Sequence, residues 1–285
     1  MEKKYIDHLV PINNVCNQAC NFCSAEYRMK GNKLISLKTI FKQILEKGNY
    51  IQISGWEPLL NPDLYKILYF IRKNKSNCFI EFQTNWVFLL ENNNLDKLQK
   101  FNIWLYNVNY PCHIEEINDK IVWIRWTLKK REQAMKEIIK RWLNLRINII
   151  INKVNYIYLP EMIDYINNNF RWLERVQLSF TKAMWAADKN DEVVPKYEEA
   201  SIYIIKFLEK AEKYKLKVDV DHIPICFLWK YIQNHVDYHK IRFWEKGVFL
   251  EEKNYVEKCK DCDKKYFCSW YRKDYLEIYP EKTYE

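Results

Sequence analysis

The chain has 285 residues, 48% hydrophobic and 16% aromatic with 29% charged, a balance that excludes a disordered or collagen-like polymer. No stretch approaches the roughly 18 consecutive apolar residues of a spanning helix, and the charged start MEKKYIDHLV lacks the apolar core of a signal peptide, so the sequence predicts a cytoplasmic protein with no membrane partner. Forty-six Lys and Arg against 37 Asp and Glu leave a net charge of +9 spread along the whole length, which speaks against a nucleic-acid substrate.

Short apolar strands alternate with amphipathic helices. Residues 5–12 read as a strand that runs directly into a cysteine-bearing loop. Ser36 is placed to cap a helix to Lys47, with Leu37, Ile40, Phe41, Ile44 and Leu45 on one face and Gly48 as its stop. Residues 50–54 form the second strand. Asn61-Pro62 reads as the opening of a helix with Leu64, Ile67, Leu68 and Ile71 inward, and residues 78–84 as the third strand. The rhythm continues with a helix near 91–100, a strand near 103–108, a helix near 129–143, a strand at 147–151, a helix from Pro160 and a strand at 176–180. Such alternation predicts an α/β fold of parallel βα units closing into a partial (β/α)6 TIM-like barrel, with ligands at the carboxyl ends of the strands.

After a charged connection at 188–192 come a helix at 196–213 and a strand at 217–220, then a tail rich in aromatics, charge and cysteine. The division expected is a barrel over 1–190 and a cysteine-rich C-terminal extension over 191–285 that packs on it. Only 4 Gly stand against 27 Asn, the bias of AT-rich coding, in which Asn takes turn positions that need positive φ. The 11 Trp read as core and rim residues, with Trp123, Trp126 and Trp142 at helical spacing.

Nine cysteines fall in groups: Cys16, Cys20 and Cys23; Cys78 and Cys112 singly; Cys226, Cys259, Cys262 and Cys268. In a reducing compartment tight groups read as metal sites. Three thiolates spaced four and three residues apart cannot complete a tetrahedral zinc site, but they can hold three corners of a four-iron cluster and leave the fourth iron open. The competing reading is structural zinc with a fourth ligand such as His8. The four late cysteines suit either an all-cysteine iron–sulfur cluster or zinc, with His222 as a substitute for Cys226. Cys78 reads as an apolar filler. Cys112, in Tyr110-Pro111-Cys112-His113, reads as an inert loop thiol whose alternative role is a cavity-facing hydrogen donor. His235 and His239, four apart, read as surface or packing residues.

The C-x3-C-x-aromatic-C loop at 16–23, its place after the first strand, and Ser54-Gly55-Trp56-Glu57-Pro58 at the end of the second strand resemble the radical S-adenosylmethionine (SAM) superfamily. The resemblance implies a [4Fe-4S] cluster on Cys16, Cys20 and Cys23, whose open iron chelates the amino and carboxylate groups of SAM. It places Phe22 near adenine and the backbone of Gly55, Trp56, Glu57 and Pro58 beside the methionyl amino group. More weakly, residues 83–85 and the stretch from Asn107 to Asn109 match the family's other strand-end positions. Two residues depart from the pattern: Trp56 stands where the family has its second glycine, and Trp86 follows Thr84-Asn85 where glycine is common. Cys259-x2-Cys262-x5-Cys268, with Cys226, resembles the central part of the SPASM and twitch extensions, which implies an auxiliary [4Fe-4S] cluster. The activity implied is reductive cleavage of SAM to a 5′-deoxyadenosyl radical that abstracts hydrogen from a substrate C–H. The substrate favoured is a peptide or protein side chain, as for peptide maturases, and electrons would come from a flavodoxin or ferredoxin. The alternatives are an oxidoreductase acting on a small alcohol or amino sugar, and a non-enzymatic metal-stabilised binding protein with a decayed SAM site.

Overall fold

The computed structural model describes residues 8–24, 35–242 and 250–281. Its centre is a parallel sheet of seven strands in sequential order: β1 (Leu9–Pro11), β2 (Tyr50–Ser54), β3 (Phe79–Thr84), β4 (Leu105–Asn109), β5 (Leu145–Ile151), β6 (Arg175–Phe180) and β7 (Val218–Asp221). Residues 5–7 of the first expected strand lie outside the described residues. The helices between strands are α1 (Leu37–Glu46), α2 (Leu64–Asn74), α3 (Asn94–Gln99), α4 (Glu115–Val122), α5 (Thr127–Lys140), α6 (Leu159–Asn169) and α7 (Tyr197–Tyr214). The six strands expected of the barrel are present, and the strand expected at 217–220 joins them as a seventh, because α7 buries Ile204, Phe207 and Leu208 and returns the chain to pair Val176 with Val218. The sheet therefore continues beyond position 190.

The strands alternate in a way that decides the architecture. Ile51, Ile53, Ile80, Phe82, Val108, Ile147, Ile149, Val176 and Leu178 are buried in the apolar core with the inward faces of the helices. The opposite face carries Gln52, Glu81, Gln83, Asn107, Asn148 and Gln177, and the register aligns them in rows: Gln52 with Glu81, Gln83 with Asn107, Asn148 with Gln177. A period of two puts all of these on one side of the sheet, so its concave side is polar.

Local signals explain most element ends. Ser36 accepts from the Thr39 N–H at 3.2 Å and caps α1 as expected. Asn61 does not cap a helix. Its side-chain oxygen accepts from the Asp63 N–H at 2.8 Å, its amide donates to the Ile12 carbonyl at 2.6 Å, and α2 begins three residues later. Helix α4 was not expected, and α5 begins at Thr127, two residues before the expected start. Asn92 and Asn93 adopt left-handed φ of 51° and 55°, which delays α3 to Asn94.

The tail adds α8 (Val236–Arg242), a two-stranded antiparallel ribbon of β8 (Lys253–Asn254) with β9 (Tyr271–Arg272), and α9 (Lys273–Ile278). It is fastened to the sheet layer by aromatic contacts. The rings of Tyr197 and Tyr275 stack at 3.7 Å, the Tyr197 N–H donates to the Tyr275 hydroxyl at 3.0 Å, and the Tyr279 hydroxyl donates to the Val194 carbonyl at 2.9 Å. The Ala183 N–H donates to the Asp274 carboxylate at 2.7 Å. Tyr275→Ala removes a buried ring and its acceptor, and we expect a loss of about 3–5 kcal/mol in urea unfolding, whereas Tyr275→Phe loses about 1 kcal/mol.

Candidate active site

A cavity of about 890 Å³ opens at the carboxyl ends of the strands, and one wall carries Cys16, Cys20 and Cys23. Phe22, Gly55, Trp56 and Asn107 also line it. The loop holding the thiols is anchored by backbone. The Ala19 and Asn21 N–H groups donate to the carbonyls of Val122 and Ile121, both at 3.0 Å, so the unsatisfied C-terminal carbonyls of α4 become the loop's dock. The Glu57 N–H donates to the Val15 carbonyl at 3.0 Å and the Ala186 N–H to the Cys23 carbonyl at 3.2 Å.

Gly55 is the point where strand β2 passes the loop. Its φ is +132°, and a Cβ there would lie 2.6 Å from Asn13 Oδ1 and 2.9 Å from the Asn13 carbonyl oxygen, so only glycine fits. Trp56 is not among the residues with positive φ, and its side chain borders the cavity. Glu57 and Pro58 do not line the cavity; both are buried behind it. The Glu57 carbonyl accepts from the Asn13 amide at 2.7 Å, and its carboxylate accepts from Thr84 Oγ1 at 2.6 Å, from the Asn85 N–H at 2.7 Å and from the Leu59 N–H at 3.0 Å. Complete burial pushes the Glu57 carboxyl up to about 7, against the three hydrogen bonds and the Arg131 charge, which lower it.

Asn85 joins the second motif to the thiols. Its side-chain amide donates to Asn17 Oδ1 at 2.7 Å and to the Cys16 sulfur at 3.7 Å, while its carbonyl accepts from Arg131 Nε at 3.3 Å. Arg131 also donates to Asn118 Oδ1 at 2.6 Å. Burial lowers this guanidinium to about 10, and the charges of Cys20 and several acidic groups oppose the shift, so a buried cation stands within electrostatic reach of the thiol group. Burial pushes the Cys16 thiol up to about 12; the charges of Glu57 and Cys23 add to that, while donors from Gln18 and Asn85 pull it down. A protein that buries thiols beside a cation and amide donors has the donor set for an anionic cluster. Sequence reading missed Arg131, although its signal was present: an arginine on the face of α5 that buries Leu128, Ala134, Met135 and Ile138.

Deeper in the cavity Glu81 is buried and surrounded. It pairs with Arg146, accepts from the Tyr50 hydroxyl, and accepts from the Gln52 amide at 2.7 Å and the Asn107 amide at 2.9 Å. Lys182, Asp221 and His222 border the far side. Burial first, then Lys182 and Arg272, hold His222 well below its usual value.

Other expected ligands are elsewhere. His8 is turned to Tyr50, its Nδ1 3.2 Å from the Tyr50 carbonyl oxygen. Cys112 is fully buried beside His113 and does not border the cavity, which removes it as a hydrogen donor there; burial pushes its thiol up to about 11. Cys78 is buried just before β3, as a filler would be. In the tail, the Cys226 thiol is pushed up to about 12 by loss of water and then by Cys268, Cys259 and Cys262, so these four sulfurs share one neighbourhood. His222 borders the main cavity. His235 is fully buried, while the His239 side chain lies outside the described residues. Among the described residues no three His, Cys, Asp or Glu side chains meet closely enough to grip a single ion.

A family model described as the radical SAM superfamily matches residues 10–173, more than half of the chain. The chain belongs to the radical SAM superfamily. The family implies a four-iron cluster and SAM, and the three thiols of Cys16, Cys20 and Cys23 lie together on the cavity wall. A probable GTP 3′,8-cyclase of Methanococcus aeolicus is 28% identical over 233 residues, 77% of this chain and 75% of that protein. Among solved structures, Streptococcus suis SuiB bound to S-adenosylmethionine superimposes with a TM-score of 0.62 at 14% identity over 77% of this chain. The chain spans about half the length of SuiB. The structure of anSMEcpe with AdoMet and the Kp18Cys peptide gives 0.54 at 15% identity, covering 86% of this chain and 63% of that one. These likenesses establish the fold. No described helix is long and apolar enough to cross a membrane.

The Glu57 shift has a measurable sign. A carboxyl raised from 4.5 to about 7 by burial favours the protonated fold, so its contribution is full below about pH 4.5 and is lost as pH rises through 7. We expect unfolding free energy of the apoprotein to fall by about 3 kcal/mol between pH 4.5 and 8 on this account. Denaturant titrations of Glu57→Gln, which cannot ionise, should lack that slope.

Proposed function

We propose that the protein is an enzyme that cleaves SAM at a four-iron cluster on Cys16, Cys20 and Cys23 and removes hydrogen from a peptide or protein side chain. The observation that carries this reading is the meeting of three thiols, Gly55 and a polar cavity of about 890 Å³ at the strand ends. Cys16, Cys20 and Cys23 would hold the cluster, which would supply the electron for reductive cleavage of SAM and so the means of removing a substrate hydrogen. Around it the chain's own groups orient and exclude. Gly55 allows close backbone approach, Phe22 offers an apolar face for adenine, and Asn85 and Arg131 hold the thiol loop from behind.

A wall of Gln52, Gln83, Asn107, Asn148 and Gln177 presents both donors and acceptors, which suits the amides of a peptide. SuiB has been solved with the precursor peptide SuiA and anSMEcpe with the Kp18Cys peptide, which favours the same substrate class. A second reading is a small polar substrate, either an alcohol or amino sugar undergoing two-electron oxidation or the GTP named for the Methanococcus relative. The same carboxamides, with Lys182 at the far wall, support it. In either case Cys226, Cys259, Cys262 and Cys268 would hold an auxiliary four-iron cluster that passes an electron to or from the substrate, and residues 191–285 would form that extension. The reductant would be a flavodoxin or ferredoxin.

Anaerobically reconstituted protein should carry about eight irons per chain and release 5′-deoxyadenosine with dithionite and SAM. We expect Cys20→Ala to abolish that release, and Cys262→Ala to keep SAM cleavage while losing substrate conversion. Candidate peptides, sugars and GTP are compared by the 5′-deoxyadenosine each stimulates. Equal loss in both variants contradicts separate roles for the two cysteine groups, and zinc retained without SAM turnover contradicts the enzyme.

A further inference from the structure

Fourteen described residues other than glycine take positive φ, and eight of them are tryptophan: Trp86, Trp123, Trp126, Trp142, Trp172, Trp185, Trp229 and Trp270, with φ between 49° and 76°. Only three are asparagine, the residue expected to stand in for missing glycines. Positive φ brings Cβ against the backbone, so a bulky side chain there is an outlier and glycine the ordinary occupant.

Hydrogen bonding at the helix ends sharpens the point. After α5, the Trp142 N–H donates to the Ile139 carbonyl at 3.0 Å and the Leu143 N–H to the Ile138 carbonyl at 3.1 Å, the paired bonds of a Schellman ending with Trp142 at its glycine position. Trp123 ends α4 with φ 56° and one bond from its N–H to the Asp119 carbonyl at 2.9 Å, the simpler left-handed ending, again with tryptophan where glycine belongs. Trp229 is more extreme, at φ 49° and ψ −115°, outside the left-handed helical region that other side chains tolerate.

The same side chains have little to hold them. Trp123, Trp126, Trp142, Trp172, Trp185 and Trp229 are between 41% and 80% exposed. Strained conformations persist where surroundings over-determine them, and an indole in water is not over-determined. A surface for stacking nucleic-acid bases would need exposed indoles but not a left-handed backbone beneath them. Trp104 provides the contrast: its φ is ordinary and its ring meets Tyr50 and Phe79 edge-on at 5.7 Å and 5.5 Å. Trp86 and Trp270 share the backbone of the six, but their indoles donate to the carbonyls of Asn107 at 3.1 Å and Lys265 at 3.0 Å.

We propose that positions 123, 126, 142, 172, 185 and 229 are glycine in the protein as its own cell makes it, through a codon that this cell reads as glycine and that a different genetic code reads as tryptophan. UGA, a stop in the standard code, is the codon whose reassignment produces this pattern, and an AT-rich genome favours it over UGG. The scarcity of glycine, 4 residues in 285, then has a cause. The consequence reaches the cavity, which Trp185 borders: glycine there widens the mouth beside the thiol wall.

The decisive experiment is peptide mass mapping of the protein isolated from its cell of origin. Glycine masses at the six positions are expected, and tryptophan masses there overturn the proposal. A recombinant comparison tests the physics separately. Each of Trp142→Gly and Trp123→Gly should raise Tm by roughly 2–4 °C relative to the chain as written, and Trp104→Gly should lower it. A lower Tm for Trp142→Gly and Trp123→Gly contradicts the assignment.

Discussion

The Glu57 carboxylate and its neighbour in space, Asn85, are the constraint on which the site depends. One carboxylate takes three donors from two strand ends, and one carboxamide passes that order to Asn17 and the Cys16 sulfur. Because Glu57 is wholly buried, leaving any of those donors unpaired costs desolvation that nothing else repays. The thiol loop is therefore held from two directions, by this network and by the carbonyls at the end of α4. Arg131 closes the arrangement from beneath. Its charge is held out of water by the same packing that orients the loop.

The polar interior follows from a simple feature of the strands. Helices cover one side of the sheet with isoleucine, valine and phenylalanine, and the other side turns glutamine, asparagine and glutamate inward. Glu81 and Arg146 neutralise each other at the floor, with Tyr50, Gln52 and Asn107 completing the carboxylate's shell. A rigid, hydrogen-bonded floor beneath a space for SAM and substrate is what a radical reaction requires, because a loosely held partner gives unwanted products. The tail packs on this layer by the stacking of Tyr275 on Tyr197, and its Cys226 thiol lies within electrostatic reach of Cys268, Cys259 and Cys262.

Much of this was legible in the residues. Strand order and the thiol loop followed from periodicity and spacing, since apolar alternation is a local signal. What escaped has physical reasons. Helix α4 is short, and its main task is to lend carbonyls to a loop a hundred residues earlier, which no local pattern encodes. Arg131 was missed although it stands in the apolar stripe of α5, because a charged residue is ordinarily read as a surface one. The Glu57 carboxylate, for which the motif gave no role, binds two strand ends together behind the cavity wall. Cys112 sat in a loop by pattern yet is sealed in the core. Eight of the described tryptophans, expected as core and rim, have a left-handed φ, a property of backbone that residue type alone concealed.

The central claim is that one iron of the cluster on Cys16, Cys20 and Cys23 lacks a protein ligand and receives SAM. Electron paramagnetic resonance of the anaerobically reconstituted, dithionite-reduced protein, recorded with and without SAM, tests it most directly. The account predicts that saturating SAM changes the g-values of one cluster signal and leaves any second signal as it was. A spectrum unaltered by SAM would contradict it.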